Sequence, residues 1–264
     1  MELYKELCSC EKFFLIAGPC VVEDEKLMMQ IAAELVEITQ KWGIPFIFKS
    51  SFKKANRTSI DSPTGPGVKK GLEILSKIKK EFNIPILTDI HEISEVEEAA
   101  EVVDILQIPA FLSRQSDLIL AAAKTGRIVN IKKGQFMAPE DIENAANKVL
   151  AAENINILLT ERGTSFGYHN LVVDFRSFAI MKQLGYPIIY DVTHSLQKPS
   201  INKTSGGTPQ YIEMMAKAAL ATGKVDGLFI ETHPNPAEAL SDASSMLPLI
   251  ELPKLLDACL KIKG

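Results

Sequence analysis

Several features are scarce or absent in this 264-residue sequence, and each absence argues against a class of protein. Four cysteines without a secretory signal argue against a disulfide framework and favour a reducing compartment. No apolar run approaches the ~20 residues of a membrane span. A net charge of −4 argues against general nucleic-acid binding, although a few local basic residues can still form an anion pocket. We therefore expect a cytoplasmic protein with neither a membrane nor a nucleic-acid partner.

Eight short apolar runs are present, and each is followed by a segment with helical spacing of its apolar residues. The runs cover residues 13–17, 44–48, 85–88, 104–108, 128–131, 155–159, 187–190 and 225–230. Their near-continuous hydrophobicity is typical of parallel strands that are covered on both faces. Eight strand–helix repeats in this length predict a single α/β domain, a (β/α)8 barrel.

An open doubly wound sheet is the alternative, because periodicity does not show closure. The glycine-rich dinucleotide fingerprint expected after the first strand of such a sheet is absent, which favours the barrel. We assign residues 1–12 to a short N-terminal extension and residues 13–264 to the barrel domain.

Polar and charged residues follow the predicted strands, where a barrel carries its active site. The strand ends carry Cys20, Lys49, Asp89 with His91, Gln107, Lys132 with Lys133, Glu161 with Arg162, Asp191 with His194, and Glu231 with His233. The opposite turns carry mostly glycine, proline and asparagine. This asymmetry indicates an enzyme.

One subset of these residues has metal-ligand chemistry. It comprises Cys20, His194, Glu231 and Asp242, with His91 and His233 as competing candidates. A thiolate, an imidazole and carboxylates on one rim suit a divalent transition metal such as iron(II), zinc, manganese or cobalt. Taken alone, Cys20 is better explained as a small buried residue after a tight turn.

A second subset is basic, and it predicts a pocket for more than one phosphate or carboxylate. Its members are Lys49, Lys53, Lys54, Arg57, Arg114, Lys132, Lys133 and Arg162. Cations near a buried rim are costly unless an anion neutralises them, and arginine binds such anions through two parallel hydrogen bonds. A solvated loop is a fair alternative explanation for Lys53, but a poor one for Lys132 and Arg162.

The strand-end motifs together resemble those of the 3-deoxy-D-manno-octulosonate 8-phosphate synthase family, in the family's order, from residue 13 onward. The matching segments are residues 16–20, 48–59, 89–92, 107–111, 130–136, 160–168, 191–197, 231–234 and 240–243. The resemblance implies condensation of phosphoenolpyruvate with D-arabinose 5-phosphate, with release of inorganic phosphate, in lipopolysaccharide biosynthesis. It also implies a homotetramer.

Residue roles carry over from the family by position. Its metal-dependent branch implies Cys20, His194, Glu231 and Asp242 as ligands, and Cys20 assigns the chain to that branch because the other branch has asparagine there. The phosphoenolpyruvate contacts correspond to Lys49, Lys54, Lys132 and Arg162, with Gln107 nearby. The aldose phosphate contacts correspond to Asn56, Arg57 and Thr58, and to Arg114 from a neighbouring subunit. The residues expected to act in the chemical steps are Lys54, Lys132, His194 and Asp242.

Two positions depart from the family pattern. Lys53 stands where relatives often have aspartate, and Thr58 where they usually have serine. The nearest competing function is that of 3-deoxy-D-arabino-heptulosonate 7-phosphate synthase, which uses erythrose 4-phosphate and typically has proline where this chain has Ala55-Asn56. A Schiff-base aldolase using Lys132 or Lys133 would also fit the basic strand ends, as would a metal- or sugar-phosphate-binding protein without turnover.

Overall fold

Eight parallel strands form a closed barrel in the computed structural model, which describes residues 1–56, 62–199 and 206–263. The strands are β1 (Phe14–Gly18), β2 (Phe46–Lys49), β3 (Ile86–Asp89), β4 (Ile105–Ile108), β5 (Ile128–Lys132), β6 (Ile157–Glu161), β7 (Ile188–Asp191) and β8 (Gly227–His233). Each strand pairs with the next, and β8 closes the barrel on β1 with Phe14 opposite Gly227. The predicted (β/α)8 barrel is confirmed.

Helices surround the barrel, with extra turns at its carboxyl-terminal rim. They are α1 (Glu2–Cys8), α2 (Glu25–Trp42), α3 (Val68–Phe82), α4 (Val96–Val102), α5 (Ser116–Lys124), α6 (Ile142–Leu150), α7 (Arg176–Lys182), α8 (Val192–Ser195), α9 (Ile212–Ala221) and α10 (Leu252–Lys263). The side chain of Asp24 caps α2 by accepting a hydrogen bond from the Leu27 N–H at 3.1 Å. Within the described ranges, no helix is long and apolar enough to cross a membrane.

The barrel interior is layered, because alternate residues of each strand point inward. An apolar layer occupies the lower interior, formed by Phe14, Ile16, Ile47, Leu87, Ile105, Ile128, Leu158, Ile189 and Phe229. Two residues further along seven of the strands, the inward positions become polar: Lys49, Asp89, Gln107, Asn130, Thr160, Asp191 and Glu231. Because the inward positions change from apolar to polar within two residues, the polar side chains lie together at the carboxyl-terminal rim.

A close ring contact explains the glycine that begins β8. A methyl group at Gly227 would lie 2.3 Å from the ring of Phe14, so only glycine fits beside that aromatic side chain. Phe14 thereby fills the amino-terminal end of the barrel.

The N-terminal extension is helical and packs onto this end of the barrel. Leu7 of α1 is only 1% exposed and belongs to the interior apolar cluster. The Tyr4 hydroxyl donates a hydrogen bond to the Ile157 carbonyl at 3.1 Å. Residues 1–12, which we separated from the barrel by sequence, therefore contribute to its core.

Candidate active site

A cavity of about 270 Å³ opens at the carboxyl ends of the strands. It brings together most of the predicted site residues: Cys20, Lys49, Lys54, Asn56, Lys132, Arg162, His194, Glu231 and Asp242. Arg57 and Thr58 lie outside the described residues. The two chemical subsets distinguished by sequence thus share one cavity.

The metal-ligand subset converges on one point of this cavity. Ligand atoms of Cys20, Glu231 and Asp242 lie within 4.8 Å of one another. His194 Nε2 is 3.5 Å from Glu231 Oε2 and 3.8 Å from Asp242 Oδ2. Glu231 Oε2 is buried without a hydrogen-bond partner. An unsatisfied buried carboxylate oxygen facing a thiol, an imidazole and a second carboxylate fits a bound transition metal.

Local structure fixes each of these groups. Gly18 lets β1 approach β2 closely, because a methyl group there would lie 2.0 Å from the Lys49 carbonyl oxygen. Asp242 has φ +54°, a left-handed conformation that aspartate adopts more readily than most residues. Asp191 caps α8 by accepting from the His194 N–H at 3.0 Å, and its Oδ2 lies 2.9 Å from His194 Nδ1. When its proton is on Nδ1, the His194 ring donates a hydrogen bond to Asp191, and Nε2 remains as the ligand atom.

Lys54 and Cys20 meet at Asp242. The Lys54 ammonium lies 3.0 Å from Cys20 Sγ and forms an ion pair with Asp242. Burial, reinforced by Asp242 and Glu231, raises the pKa of the Cys20 thiol, which donates to Asp242 Oδ2 at 3.0 Å. Burial alone would raise the pKa of Asp242, but Lys54 and His194 outweigh it, and the pKa is lowered.

Two further lysines are neutralised by buried acids. The Lys49 ammonium lies 2.9 Å from Glu231 Oε1 and 3.5 Å from Asp89 Oδ2. Burial alone would lower the pKa of Lys49, yet these two carboxylates raise it. The Lys132 ammonium lies 2.6 Å from Asp191 Oδ2 and 3.8 Å from the centre of the Phe229 ring. Both ammonium groups thus lie at the cavity floor within reach of carboxylates, and Lys132 also faces an aromatic ring.

Arg162 differs from these lysines because its hydrogen-bond acceptors are neutral groups. Its Nη2 donates to the His194 carbonyl at 3.1 Å and to Gln197 Oε1 at 3.0 Å. Among the described residues it has no ion pair within 4.0 Å. Burial lowers its pKa and outweighs the opposite effect of the more distant Asp191 and Asp242 carboxylates. Gln197 also donates to Asp242 Oδ1 at 3.0 Å, which connects Arg162 to the ligand cluster. A buried guanidinium without a carboxylate partner is suited to an anionic ligand.

Lys53 has a partner that explains its presence. Its ammonium lies 2.9 Å from Glu92 Oε1 and 3.1 Å from Glu95 Oε1. Glu95 also accepts from the His91 N–H at 2.8 Å. The ion pairs connect the segment after β2, which carries Lys54, to the segment after β3.

Three basic or polar residues named from the sequence do not line this cavity. Lys133 is fully buried outside the cavity, 3.5 Å from Glu161 Oε1, so its assignment to the anion pocket is wrong. Gln107 is also fully buried, and it does not line the cavity. Arg114 is exposed in a separate cleft beside Lys148, away from the cavity of its own chain.

The remaining histidines are not in the ligand cluster. His91 lines the cavity with its Nδ1 3.5 Å from Glu95 Oε2. His233 accepts at Nδ1 from the Asn235 N–H at 3.0 Å, and its Nε2 lies 3.6 Å from Glu23 Oε1. His194 is therefore the histidine that the fold brings to Glu231 and Asp242.

Sequence reasoning gave no role to Asp191 or Gln197. The signal for both was present, because the matched segment 191–197 begins and ends with them. Asp191 anchors His194 and Lys132, and Gln197 joins Arg162 to Asp242. Spacing does not reveal the contacts to Lys132, Arg162 and Asp242, since those partners come from other strands.

The fold and site together define a (β/α)8-barrel enzyme whose rim combines a metal-compatible donor set with buried cations. A family model described as the DAHP synthetase I family matches residues 9–263. The chain belongs to this family.

Its similar relatives carry one common name, 2-dehydro-3-deoxyphosphooctonate aldolase. The Trichlorobacter lovleyi protein is 55% identical over 243 residues, covering 92% of this chain and 89% of the relative. The Geotalea uraniireducens protein is 54% identical with the same coverage, and the Fusobacterium nucleatum protein is 51% identical over 253 residues, 96% and 91% of the two chains. The family resemblance stated from the motifs is confirmed.

Proposed function

We propose that this enzyme condenses phosphoenolpyruvate with D-arabinose 5-phosphate and water to give 3-deoxy-D-manno-octulosonate 8-phosphate and inorganic phosphate. The product would enter lipopolysaccharide biosynthesis. The observation that carries this proposal is the buried Arg162 guanidinium, which donates to neutral groups, the His194 carbonyl and Gln197, and is joined through Gln197 to the ligand Asp242. That arrangement suits an anionic substrate bound next to a metal. The shared name of the relatives supports the same reaction.

The donor set supports a divalent transition metal held by Cys20, His194, Glu231 and Asp242. The orphaned Glu231 Oε2 is the structural reason for this assignment. When bound, such a metal supplies Lewis-acid polarisation of a substrate oxygen or a lowered pKa for a water. Iron(II), zinc, manganese and cobalt all suit mixed sulfur, nitrogen and oxygen ligands.

The reaction forms one carbon–carbon bond and one carbon–oxygen bond to water, and it breaks the carbon–oxygen bond to phosphate. The enol carbon of phosphoenolpyruvate attacks the aldehyde carbon of the open-chain sugar, and the aldehyde oxygen takes up a proton. Water adds to the carbon that bears the phosphate and gives up a proton, which balances the proton taken up by the aldehyde oxygen. The hemiketal phosphate then expels inorganic phosphate, leaving the 2-oxo acid.

The protein side chains supply charge and orientation for these steps. Lys49 and Lys132, on the cavity floor, would bind the anionic groups of phosphoenolpyruvate together with Arg162. Lys54 lies beside Cys20 and Asp242, where it would stabilise charge that develops near the reacting carbons. No Schiff base is required, and fully buried Lys133 lies outside the cavity where a carbonyl substrate would bind.

The aldose phosphate is assigned to the outer part of the cavity. Asn56 lines it, and Arg57 and Thr58 follow in the sequence. We also propose that Arg114 completes this part of the site in a neighbouring subunit of a homotetramer. Its exposure outside its own cavity supports this assignment. Sedimentation velocity would test the tetramer, and a monomeric active enzyme would contradict it.

The decisive experiment measures phosphate release from phosphoenolpyruvate with arabinose 5-phosphate, with erythrose 4-phosphate and without an aldose. We expect release with the five-carbon sugar only, and a loss of activity on chelation that returns with added metal. Preference for erythrose 4-phosphate would identify the heptulosonate reaction instead. Release without any aldose, or covalent trapping by borohydride, would refute the proposed chemistry.

A further inference from the structure

A continuous hydrogen-bonded chain of side chains crosses the barrel beneath the cavity. Gln107 Nε2 lies 2.6 Å from Asp89 Oδ1, Asn130 Nδ2 lies 2.8 Å from Gln107 Oε1, and Thr160 Oγ1 lies 2.8 Å from Asn130 Oδ1. Asp89, Gln107 and Asn130 are register partners on neighbouring strands β3, β4 and β5. The two amides and the threonine are fully buried. None of these three contacts the cavity, so substrate binding does not explain them.

The chemistry of the side chains fixes the direction of the chain. A carboxylate only accepts hydrogen bonds, so the Gln107 amide nitrogen must face Asp89. That orientation leaves the Gln107 oxygen facing Asn130, whose nitrogen must donate to it. The Asn130 oxygen then accepts from the hydroxyl of Thr160. Every donor therefore points toward Asp89, and successive bonds in such a chain polarise one another.

Asp89 is the link between this chain and the cavity. Its Oδ2 accepts a hydrogen bond from Ser51 and lies 3.5 Å from the Lys49 ammonium. Lys49 in turn lies 2.9 Å from Glu231 Oε1. Asp89 therefore has one oxygen committed to the chain and the other to the residues that line the cavity.

We propose that Gln107, Asn130 and Thr160 are positioning residues that hold the Asp89 carboxylate oriented toward Lys49, and so set the place of the Lys49 ammonium in the phosphoenolpyruvate site. The proposal rests on the proposed function, since it assigns Lys49 to phosphoenolpyruvate. It gives Gln107 an indirect role in place of a substrate contact.

Buried charge provides the physical reason for such a device. Burial alone would raise the pKa of Asp89, and Lys49 and Lys132 outweigh it so that the pKa is lowered. An amide donor on the remaining oxygen satisfies a group whose unpaired burial would be costly. A carboxylate held at both oxygens cannot rotate away from Lys49. The ammonium then keeps its place whether or not an anion is bound.

A series of variants along the chain tests the proposal. Gln107→Leu, Asn130→Leu and Thr160→Val remove the first, second and third donor counted from Asp89. Thr39→Val is the matched control, because Thr39 is a buried threonine that donates to the Leu35 carbonyl within α2, away from the site. For each variant, the measurements are steady-state kinetics with both substrates, the thermal unfolding midpoint and a binding titration with phosphoenolpyruvate.

The KM for phosphoenolpyruvate should rise most for Gln107→Leu, by about tenfold, and least for Thr160→Val, with Asn130→Leu between them. The KM for arabinose 5-phosphate and the kinetics of Thr39→Val should stay within about twofold of wild type. Thr160→Val keeps the test informative if Gln107→Leu does not fold, since it removes only a terminal hydroxyl. The thermal midpoints need not follow the order along the chain.

Two results would overturn the inference while leaving the proposed function intact. One is that the wild-type enzyme is active and that the KM values of Thr160→Val and Gln107→Leu equal those of the control Thr39→Val. The other is that the KM values for the two substrates rise equally and in proportion to the loss in thermal midpoint. Such a result would indicate general destabilisation. A wild-type enzyme that releases no phosphate from this pair of substrates would instead refute the proposed function.

Discussion

Glu95 joins the segments after β2 and β3 beside the cavity, and replacing it with glutamine should weaken the fold in a pH-dependent way. The carboxylate is buried and accepts hydrogen bonds from the His91 N–H at 2.8 Å, the Glu92 N–H at 3.2 Å and the Lys53 ammonium at 3.1 Å. Glu95→Gln keeps the shape of the side chain and removes its charge. The change therefore isolates the contribution of the ionised form.

The magnitude follows from the pKa of this carboxyl group. Burial by itself raises the pKa, but the His91 ring, the His91 N–H and Lys53 outweigh it and lower the pKa from 4.5 to about 2. That difference corresponds to at most about 3 kcal/mol of unfolding free energy. Because the folded-state pKa is the lower one, this stability is present above pH 4.5. It is lost as the pH falls from there toward about 2.

Urea unfolding at a fixed subunit concentration, from pH 7 down to the lowest pH at which the wild type still folds, is the assay. The difference in unfolding free energy between wild type and Glu95→Gln should shrink as the pH falls below 4.5. Glu92→Gln is the control, because that carboxylate pairs with the same Lys53 but is 63% exposed, and it should cost less than about 1 kcal/mol. A Glu95→Gln difference that stays constant with pH would refute the reasoning.

Three further predictions concern the site and the packing. Cys20→Asn should lower the bound transition metal measured by mass spectrometry after dialysis, and full metal retention would contradict the ligand assignment. Lys133→Met should lower the urea-derived unfolding free energy by about 3–5 kcal/mol, because the Lys133 ammonium that it removes lies 3.5 Å from Glu161 and the buried carboxylate would lose its ion-pair partner. A change under about 1 kcal/mol would argue against that pair. Gly227→Ala should cost about 1–3 kcal/mol by forcing a methyl against the Phe14 ring, and an unchanged thermal midpoint would show that the ring moves freely.

The eight strands could be predicted because each is a short apolar run in a chain that repeats one unit. The strand ends also predicted which residues reach the cavity, as Lys49, Lys132 and Glu231 show. Each follows an apolar interior residue by two or four positions, so the period of the strand carries it to the same interior face.

Lys133 shows where that reasoning stops. It adjoins Lys132 in the sequence, but neighbouring residues of a strand point to opposite faces, and Lys133 is buried against Glu161 outside the cavity. Two adjacent lysines in a motif therefore have different roles, and residue type alone does not separate them.

The repeating strand–helix order, the polar strand ends and the family can all be read from the sequence. The pairing of charges becomes visible in the folded chain: Lys54 pairs with Asp242, Lys132 pairs with Asp191, and Arg162 donates to neutral groups. The reason is physical. Strand periodicity is local, whereas the partners in these contacts come from different strands or from the segments after them, and barrel closure brings them within hydrogen-bonding distance.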